Sequence, residues 1–262
     1  MNKYIFCDLD ATLLNDEKEI SNDDLNAIRE FESHGNHFII CSGRVPFALR
    51  KYKELLNSTE VVSSNGSIII SDNKYIKDDL ISKDILYTVV EYALKNNIYV
   101  RLFSKECLYI LNDQYNTGNA FLYPEHKYVD EKSVIDIIEK SIINKAAFSS
   151  GDIGVLKQAY KDLSDKQLDI ELAFSASTFL EINSKNQSKG NGVLDYCKYK
   201  NIDIKDTIAV GDNENDISML KIAGLAACPK NASEEVKNVS DIILDSNNNH
   251  SPLSELIRRI DE

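Results

Sequence analysis

Ile5-Phe6-Cys7-Asp8-Leu9-Asp10-Ala11-Thr12-Leu13-Leu14 is the stretch from which the fold can be read. Ile5 to Cys7 read as the end of a buried strand, followed by two carboxylates at positions i and i+2 and then a threonine. Side chains alternate along a strand, so Asp8 and Asp10 would share a side only if the chain stayed extended. The better reading is that the strand ends here and both acids crowd into the loop at its carboxyl edge, where open α/β sheets keep their ligands. At about 4 Å and an effective dielectric near 20, two carboxylates repel by about 4 kcal/mol. A cation or a shared proton must relieve that repulsion, unless the pair is only a solvated acidic turn. The rest of the chain decides.

Downstream, Ser21 offers an N-cap with Asp24 three residues on; Leu25, Ile28 and Phe31 follow at helical spacing and Gly35 supplies the stop. Phe38-Ile39-Ile40-Cys41 is a short apolar run suited to a strand buried on both faces, ending in Ser42-Gly43-Arg44. Pro46 opens a second helix through Leu49, Tyr52, Leu55 and Leu56. Val61-Val62 runs into Ser63-Ser64-Asn65-Gly66 and a further strand from Ser67 to Ile70; Asn-Gly is the strongest short hairpin signal. The order β-α-β-α-β favours a parallel, helix-covered sheet.

From about Ser82 the texture changes. Helical stretches at Ile85–Ala93, Val134–Ile142 and Val155–Leu163 mix with strand candidates at Tyr99–Leu102, Cys107–Leu111 and Lys145–Phe148. Ile170–Phe174 and Thr178–Ile182 read as a closing hairpin. The first texture then resumes: a helix from Lys189-Gly190, a strand at Thr207–Val210 ending in Gly211-Asp212-Asn213-Glu214-Asn215-Asp216, a helix from Ile217, and a strand candidate at Leu225–Cys228. The fold class is therefore α/β: a doubly wound, mostly parallel sheet formed by residues 1–81 and 186–262, with an α+β module inserted at 82–185.

Bulk properties narrow the function. The 262 residues are 43% apolar and 27% charged, which describes an ordinary globular chain. No apolar run approaches the ~20 residues of a membrane span, and Asp8 interrupts the N-terminus too early for a signal peptide, so the expected location is cytoplasmic. Five scattered cysteines without a C-x-x-C point to reduced, buried thiols. A net charge of −12 repels polyanions and argues against nucleic acid and anionic membrane as partners. A small phosphorylated ligand stays compatible with it, because a metal and a few local cations can reverse the field inside a cleft. The four histidines fit no motif, and Tyr123-Pro124-Glu125-His126 is a candidate substrate-facing loop of the inserted module.

Three strand ends now carry polar groups that one sheet edge would bring together: Asp8/Asp10, Ser42 and Asp212/Asp216. Four carboxylates there need compensation. Mg²⁺ suits such oxygen ligands, taking one or two carboxylates, waters and substrate phosphate. Lys189 at a helix start adds a cation and free N–H groups. Hydroxyl, lysine, metal and helix end together read as a phosphate site with a carboxylate nucleophile beside it.

On these residues the chain resembles the haloacid dehalogenase superfamily, and within it the Cof-type phosphatases with the larger α/β cap. The motifs stand in order as Asp8–Leu14, Ser42-Gly43-Arg44, Lys189-Gly190 and Gly211–Asp216, so the resemblance covers essentially the whole chain. It implies a Mg²⁺-dependent phosphatase acting on small phosphorylated metabolites, with sugar phosphates foremost. In that resemblance Asp8 is the nucleophile that becomes an aspartyl phosphate, and Asp10 is the acid that protonates the leaving alcohol and then activates water. Asp8, the Asp10 main-chain carbonyl, Asp212 and Asp216 would serve the metal; Ser42, Lys189 and Asn215 the phosphoryl oxygens; Gly43, Arg44, Asn65 and Gly66 lie where related proteins approach substrate. An acid at Asp10 favours phosphoester chemistry, because carbon–halogen cleavage leaves no alkoxide to protonate. The alternatives are a phosphohexomutase-like phosphotransferase, which a related cap serves, and a non-enzymatic receiver-like phosphoacceptor. Two departures from the family pattern stand out: Ala11 and Lys230 occupy positions where glycine is usual. If position 11 needs a positive φ, alanine costs about 1 kcal/mol.

Overall fold

The computed structural model describes residues 2–117 and 123–261. β1 (Tyr4–Cys7) leads through the acidic loop to α1 (Asn22–Ser33), β2 (His37–Cys41), α2 (Pro46–Leu55), β3 (Val61–Ser63), β4 (Ile68–Ser71) and β5 (Lys74–Asp78). Then come α3 (Lys83–Lys95), β6 (Tyr99–Phe103), β7 (Leu108–Leu111), β8 (His126–Tyr128), α4 (Glu131–Lys140), β9 (Lys145–Ser149), α5 (Ile153–Asp165), β10 (Ile170–Ala176) and β11 (Phe179–Ser184). α6 (Lys189–Lys200), β12 (Thr207–Val210), α7 (Ile217–Leu220), β13 (Leu225–Cys228), α8 (Glu234–Lys237), β14 (Ile242–Ile243) and α9 (Pro252–Asp261) close the chain. Two compact units result: Met1–Arg44 with Lys51–Lys77 and Ser188–Glu262, and Val45–Arg50 with Asp78–Gln187.

The first unit is built on a sheet of order β14-β13-β12-β1-β2-β3-β4-β5. From β14 to β3 the strands are parallel; β4 turns back antiparallel on β3 through the Ser64–Gly66 turn that Asn65-Gly66 foretold. A parallel sheet is covered on both faces, which is why β1, β2 and β12 read as unbroken apolar runs. Phe6, Ile39, Val62 and Ala209 face Val193 and Tyr196 of α6 on one side. α1 packs against α9. Ser21 caps α1 by accepting from Asp24 N, but the Asp24 carboxylate does not close the capping box; it accepts instead from Ser254 N in the first turn of α9 at 2.8 Å. Cys7 pairs in register with Val210 on one side and Ile40 on the other. The residues that follow, Asp8, Gly211 and Cys41-Ser42, therefore emerge side by side on one edge.

The second unit is a sheet of order β10-β11-β9-β6-β7-β8, antiparallel except between β7 and β8. Val89, Leu102, Val134, Phe148, Leu156 and Leu163 belong to the core between this sheet and α3, α4 and α5. The alternate residues Arg101, Lys145 and Glu181 are also buried, with a Lys145–Glu181 ion pair at 2.5 Å and the Arg101 guanidinium 5.2–5.6 Å from the rings of Phe103, Tyr123 and Phe179. β5 and β8 carry too few apolar side chains to show a period. His126 of the tetrapeptide read as a loop begins β8.

Candidate active site

The β1 ladder runs one residue past the strand: Asp8 N donates to Val210 O at 2.9 Å. Beyond it the chain breaks away, leaving the Asp8 side chain at the sheet edge and 9% exposed. Lys189 reaches that edge because α6 begins unusually close to the β3–β4 turn. Gly66, at φ +89°, has no room for a Cβ beside Ser188 O, and a Cβ on Gly192 would lie 2.7 Å from Gly66 Cα. Two glycines thus let the backbones touch and bring the first residue of α6 to the strand ends. Lys189 is wholly buried, and its Nζ donates to Asp8 Oδ1 and Asp216 Oδ1, each at 2.6 Å.

The loop after β12 closes on its own acid. Asp216 Oδ2 accepts from Asp212 N at 3.0 Å and Asn213 N at 3.1 Å, so this buried carboxylate has backbone partners on one oxygen and Lys189 on the other. Asp212 Oδ1 accepts from the fully buried Thr12 hydroxyl at 2.8 Å. Asp8, Asp212 and Asp216 each present a carboxylate oxygen, and these lie within 4.8 Å of one another.

Burial pushes the Asp8 carboxyl up to about 8, with Lys189 opposing and the neighbouring acids adding to the rise. Burial, then Asp216, pushes Asp212 up to about 6. For Lys189 burial favours the neutral amine, but Asp216 and Asp8 outweigh it and keep the ammonium charged. With all three carboxylates ionised, one ammonium leaves an excess of two negative charges in a shielded place; that excess is part of what favours the protonated acids, and a divalent cation would cancel it. The donors are all carboxylate oxygens, the set that hard cations prefer. The residues present fit such an ion.

Asp10 has other partners. Its carboxylate is gripped by Arg44 Nε and Nη2, both at 2.6 Å, and by Lys18 Nζ at 3.0 Å. Burial alone would raise its pKa, yet the bonds from Arg44 and Lys18 outweigh that and hold it at about 2. Arg44 N donates to Ser42 Oγ at 3.2 Å, Asn65 N to Ser42 O at 3.2 Å, and Asn215 Nδ2 to Asn65 Oδ1 at 3.2 Å. Gly43 sits among them, where a Cβ would come within 3.0 Å of Asn65 Oδ1 and 3.6 Å of Asn215 Nδ2. Two linked groups result: Asp8, Asp212, Asp216 and Lys189 in one, and Asp10, Ser42, Gly43, Arg44, Asn65 and Asn215 in the other. Gly66 serves the close crossing under α6. Ala11 does take a positive φ, 56°, and so carries the cost of about 1 kcal/mol that its Cβ implies.

Sequence reading missed Thr12 as the anchor of Asp212, Lys18 as a partner of Asp10, and Asn231, whose Nδ2 donates to Ala11 O at 2.8 Å. Thr12 carried a signal, a hydroxyl directly behind the acids, and Asn231 stood beside Lys230, where the chain departs from the family pattern.

A family model of haloacid dehalogenase-like hydrolases matches residues 5–257, a span that includes every side chain named above. The chain belongs to the haloacid dehalogenase-like hydrolase family. It is 28% identical to the 5-amino-6-(5-phospho-D-ribitylamino)uracil phosphatase YcsE of Bacillus subtilis, over 94% of this chain and 90% of that protein. A protein of Arabidopsis thaliana named "Endoribonuclease YBEY, chloroplastic" is 29% identical over 93% of this chain, which spans only 44% of that protein's length. Among solved structures, TM0651 from Thermotoga maritima matches with a TM-score of 0.82 at 27% identity, covering 99% of this chain and 97% of that one. The chain is an enzyme of this family, a phosphatase of the Cof type. Among the described residues no helix is long and apolar enough to cross a membrane.

Proposed function

We propose that the enzyme is a Mg²⁺-dependent phosphatase of small phosphorylated metabolites, sugar phosphates foremost, working through an aspartyl phosphate on Asp8. The observation that carries this reading is the buried Lys189 ammonium shared between Asp8 and Asp216, within a cluster of three carboxylates. A nucleophilic carboxylate needs its charge held in place but not quenched, and a lysine on one oxygen leaves the other to attack.

In the first half-reaction an Asp8 oxygen bonds to phosphorus, the bond to the leaving alcohol breaks, and Asp10 gives that alcohol its proton. In the second, Asp10 takes a proton from water, the water oxygen bonds to phosphorus, and the acyl phosphate bond breaks to return the Asp8 carboxylate and free phosphate. Asp10 can carry a proton only once Arg44 gives up one of its two bonds, for which an anionic substrate competes, while the other bond keeps the carboxyl aimed. Two of the three N–H donors of Lys189 go to Asp8 and Asp216; the third, with the Ser42 hydroxyl and the Asn215 amide, is assigned to the phosphoryl oxygens. Asp8, the Asp10 main-chain carbonyl, Asp212 and Asp216 would hold Mg²⁺, which when bound offsets the charge of carboxylates and phosphoryl group.

Residues 1–81 and 186–262 are assigned the chemistry and residues 82–185 the choice of substrate, as a cap. Support for the latter is the Arg101, Lys145 and Glu181 set among aromatic rings, charged groups where a purely structural sheet face would be apolar. The phosphorylated ribityl chain in the name of YcsE supports a phosphorylated polyol as substrate.

The test is phosphate release from a panel of sugar phosphates, nucleotides, flavin mononucleotide and pyridoxal phosphate. Release should need Mg²⁺, stop with EDTA, and vanish in Asp8→Asn. Substantial turnover by a clean Asp8→Asn preparation would sink the nucleophile assignment, and isomerised sugar phosphate as main product would overturn the hydrolase reading.

A further inference from the structure

Ala11 stands between Asp10 and Thr12 with a φ that an L-residue adopts only when something holds it there. Turn bonds onto Leu9 O, from Thr12 N at 3.3 Å and Leu14 N at 2.7 Å, close over it, and further contacts come from the far end of the chain. Asn231, in the loop after β13, donates from Nδ2 to Ala11 O at 2.8 Å and accepts on Oδ1 from Asn248 N at 2.9 Å. Asn248, 8% exposed, donates from its own Nδ2 to Leu14 O at 3.2 Å and Asp16 Oδ1 at 3.1 Å. Asn249 adds two bonds to Asp16, accepting from its N at 3.0 Å and donating to its Oδ2 at 3.1 Å. The acidic loop is thus pinned at positions 11, 14 and 16 by three asparagines. The pin at 11 is the only one of these next to Asp10, and it bears on the peptide whose geometry is strained.

We infer that Asn231 is a positioning residue for the phosphatase reaction: by holding the Ala11 peptide left-handed it fixes the direction in which Asp10 leaves the loop. This rests on the reading of Asp10 as the proton-transferring acid. A side-chain amide is the group that can do both jobs, donating to one backbone carbonyl while accepting from one backbone N–H. Glycine at position 11 would take this φ at no steric cost, whereas the Cβ of Ala11 adds about 1 kcal/mol that the Asn231 bond helps to offset.

The two statements lead to a double-mutant test in the full chain, with p-nitrophenyl phosphate and the best natural phosphoester as substrates. Asn231→Ala should lower kcat about tenfold with KM within twofold of the parent. Asn231→Asp, which keeps the acceptor for Asn248 N and loses the donor to Ala11 O, should show the same kcat loss. Ala11→Gly alone should leave kcat within twofold, and placed on the Asn231→Ala background it should recover at least threefold of the loss. A purely structural role predicts a drop in Tm with kcat unchanged, and that result overturns the proposal. So does a kcat loss of equal size with alanine or glycine at position 11. If Asn231→Ala does not fold, the Asn231→Asp pair with and without Ala11→Gly decides in the same way. Failure of the underlying reading shows separately, as turnover surviving in Asp10→Asn.

Discussion

Arg44 holds both carboxylate oxygens of Asp10, through Nε and Nη2 at 2.6 Å each, across 34 residues of sequence. A planar guanidinium matches a carboxylate in this two-pronged way, and an ammonium does not. Arg44→Lys keeps the charge and loses the fork, so Asp10 is left with a wider range of orientations. The expected outcome is a fall of about tenfold in kcat/KM, the size of a lost charge-assisted bond, with only a small drop in the urea midpoint because the pair is partly exposed. Steady-state kinetics beside urea unfolding check it; parent-like kcat/KM would show that the fork does not aim Asp10.

Lys189 is a stability element as much as a chemical one. Lys189→Met leaves Asp8 and Asp216 shielded from water without their shared counter-ion. Removing one partner of such a buried set costs about 3–5 kcal/mol, and activity should vanish. The double variant Asp8→Asn/Lys189→Met should be less destabilised than the sum of the singles, because Asp8→Asn removes one of the charges that Lys189→Met leaves stranded. Chemical denaturation of the four proteins measures that coupling; strict additivity would contradict it.

Asp24 supplies a pH dependence away from the site. Burial pushes its carboxyl up from 3.8 to about 6, against the bonds from Ser254 N and Ser21. A carboxyl with a folded pKa above its unfolded one binds its proton more tightly when folded. Its stabilising share is therefore complete below about 3.8 and is lost as pH rises through about 6. At neutral pH the ionised form costs at most roughly 3 kcal/mol. Asp24→Asn should be more stable than the parent at pH 7.5 by about 1 kcal/mol or more, and the advantage should disappear on going down to pH 4. Urea unfolding of both proteins across that range tests this; a difference independent of pH would refute it.

Much of this was legible in the sequence because it depends on local pattern. The apolar runs of β1, β2 and β12 need cover on both faces, and parallel strands then put Asp8, Ser42 and Asp212 on one edge without further information. The positive φ of Ala11 was legible as a condition, and 56° meets it. What stayed hidden is partner choice. Asp10 lies two residues from Asp8, yet its carboxylate goes to Arg44 and Lys18 and not to the cluster around Lys189. Thr12 meets Asp212 across 200 residues and Asn231 meets Ala11 across 220, and no periodicity encodes such pairs. β5 and β8 escaped for the opposite reason: their polar side chains leave a strand that only backbone hydrogen bonds define.

Asp8 and Lys189 are separated by 181 residues. At synthesis rates of about 5–20 residues per second, the carboxylate leaves the ribosome roughly 10–40 s before its counter-ion exists. Over that interval the Asp8 carboxylate lacks its lysine, and β1 lacks its neighbour β12. Joining them closes one of the longest loops in the chain, a step whose entropy is paid before the contact is rewarded. The cluster of Asp8, Lys189 and Asp216 consequently cannot assemble until the chain has been made through Asp216, however early the acidic loop appears.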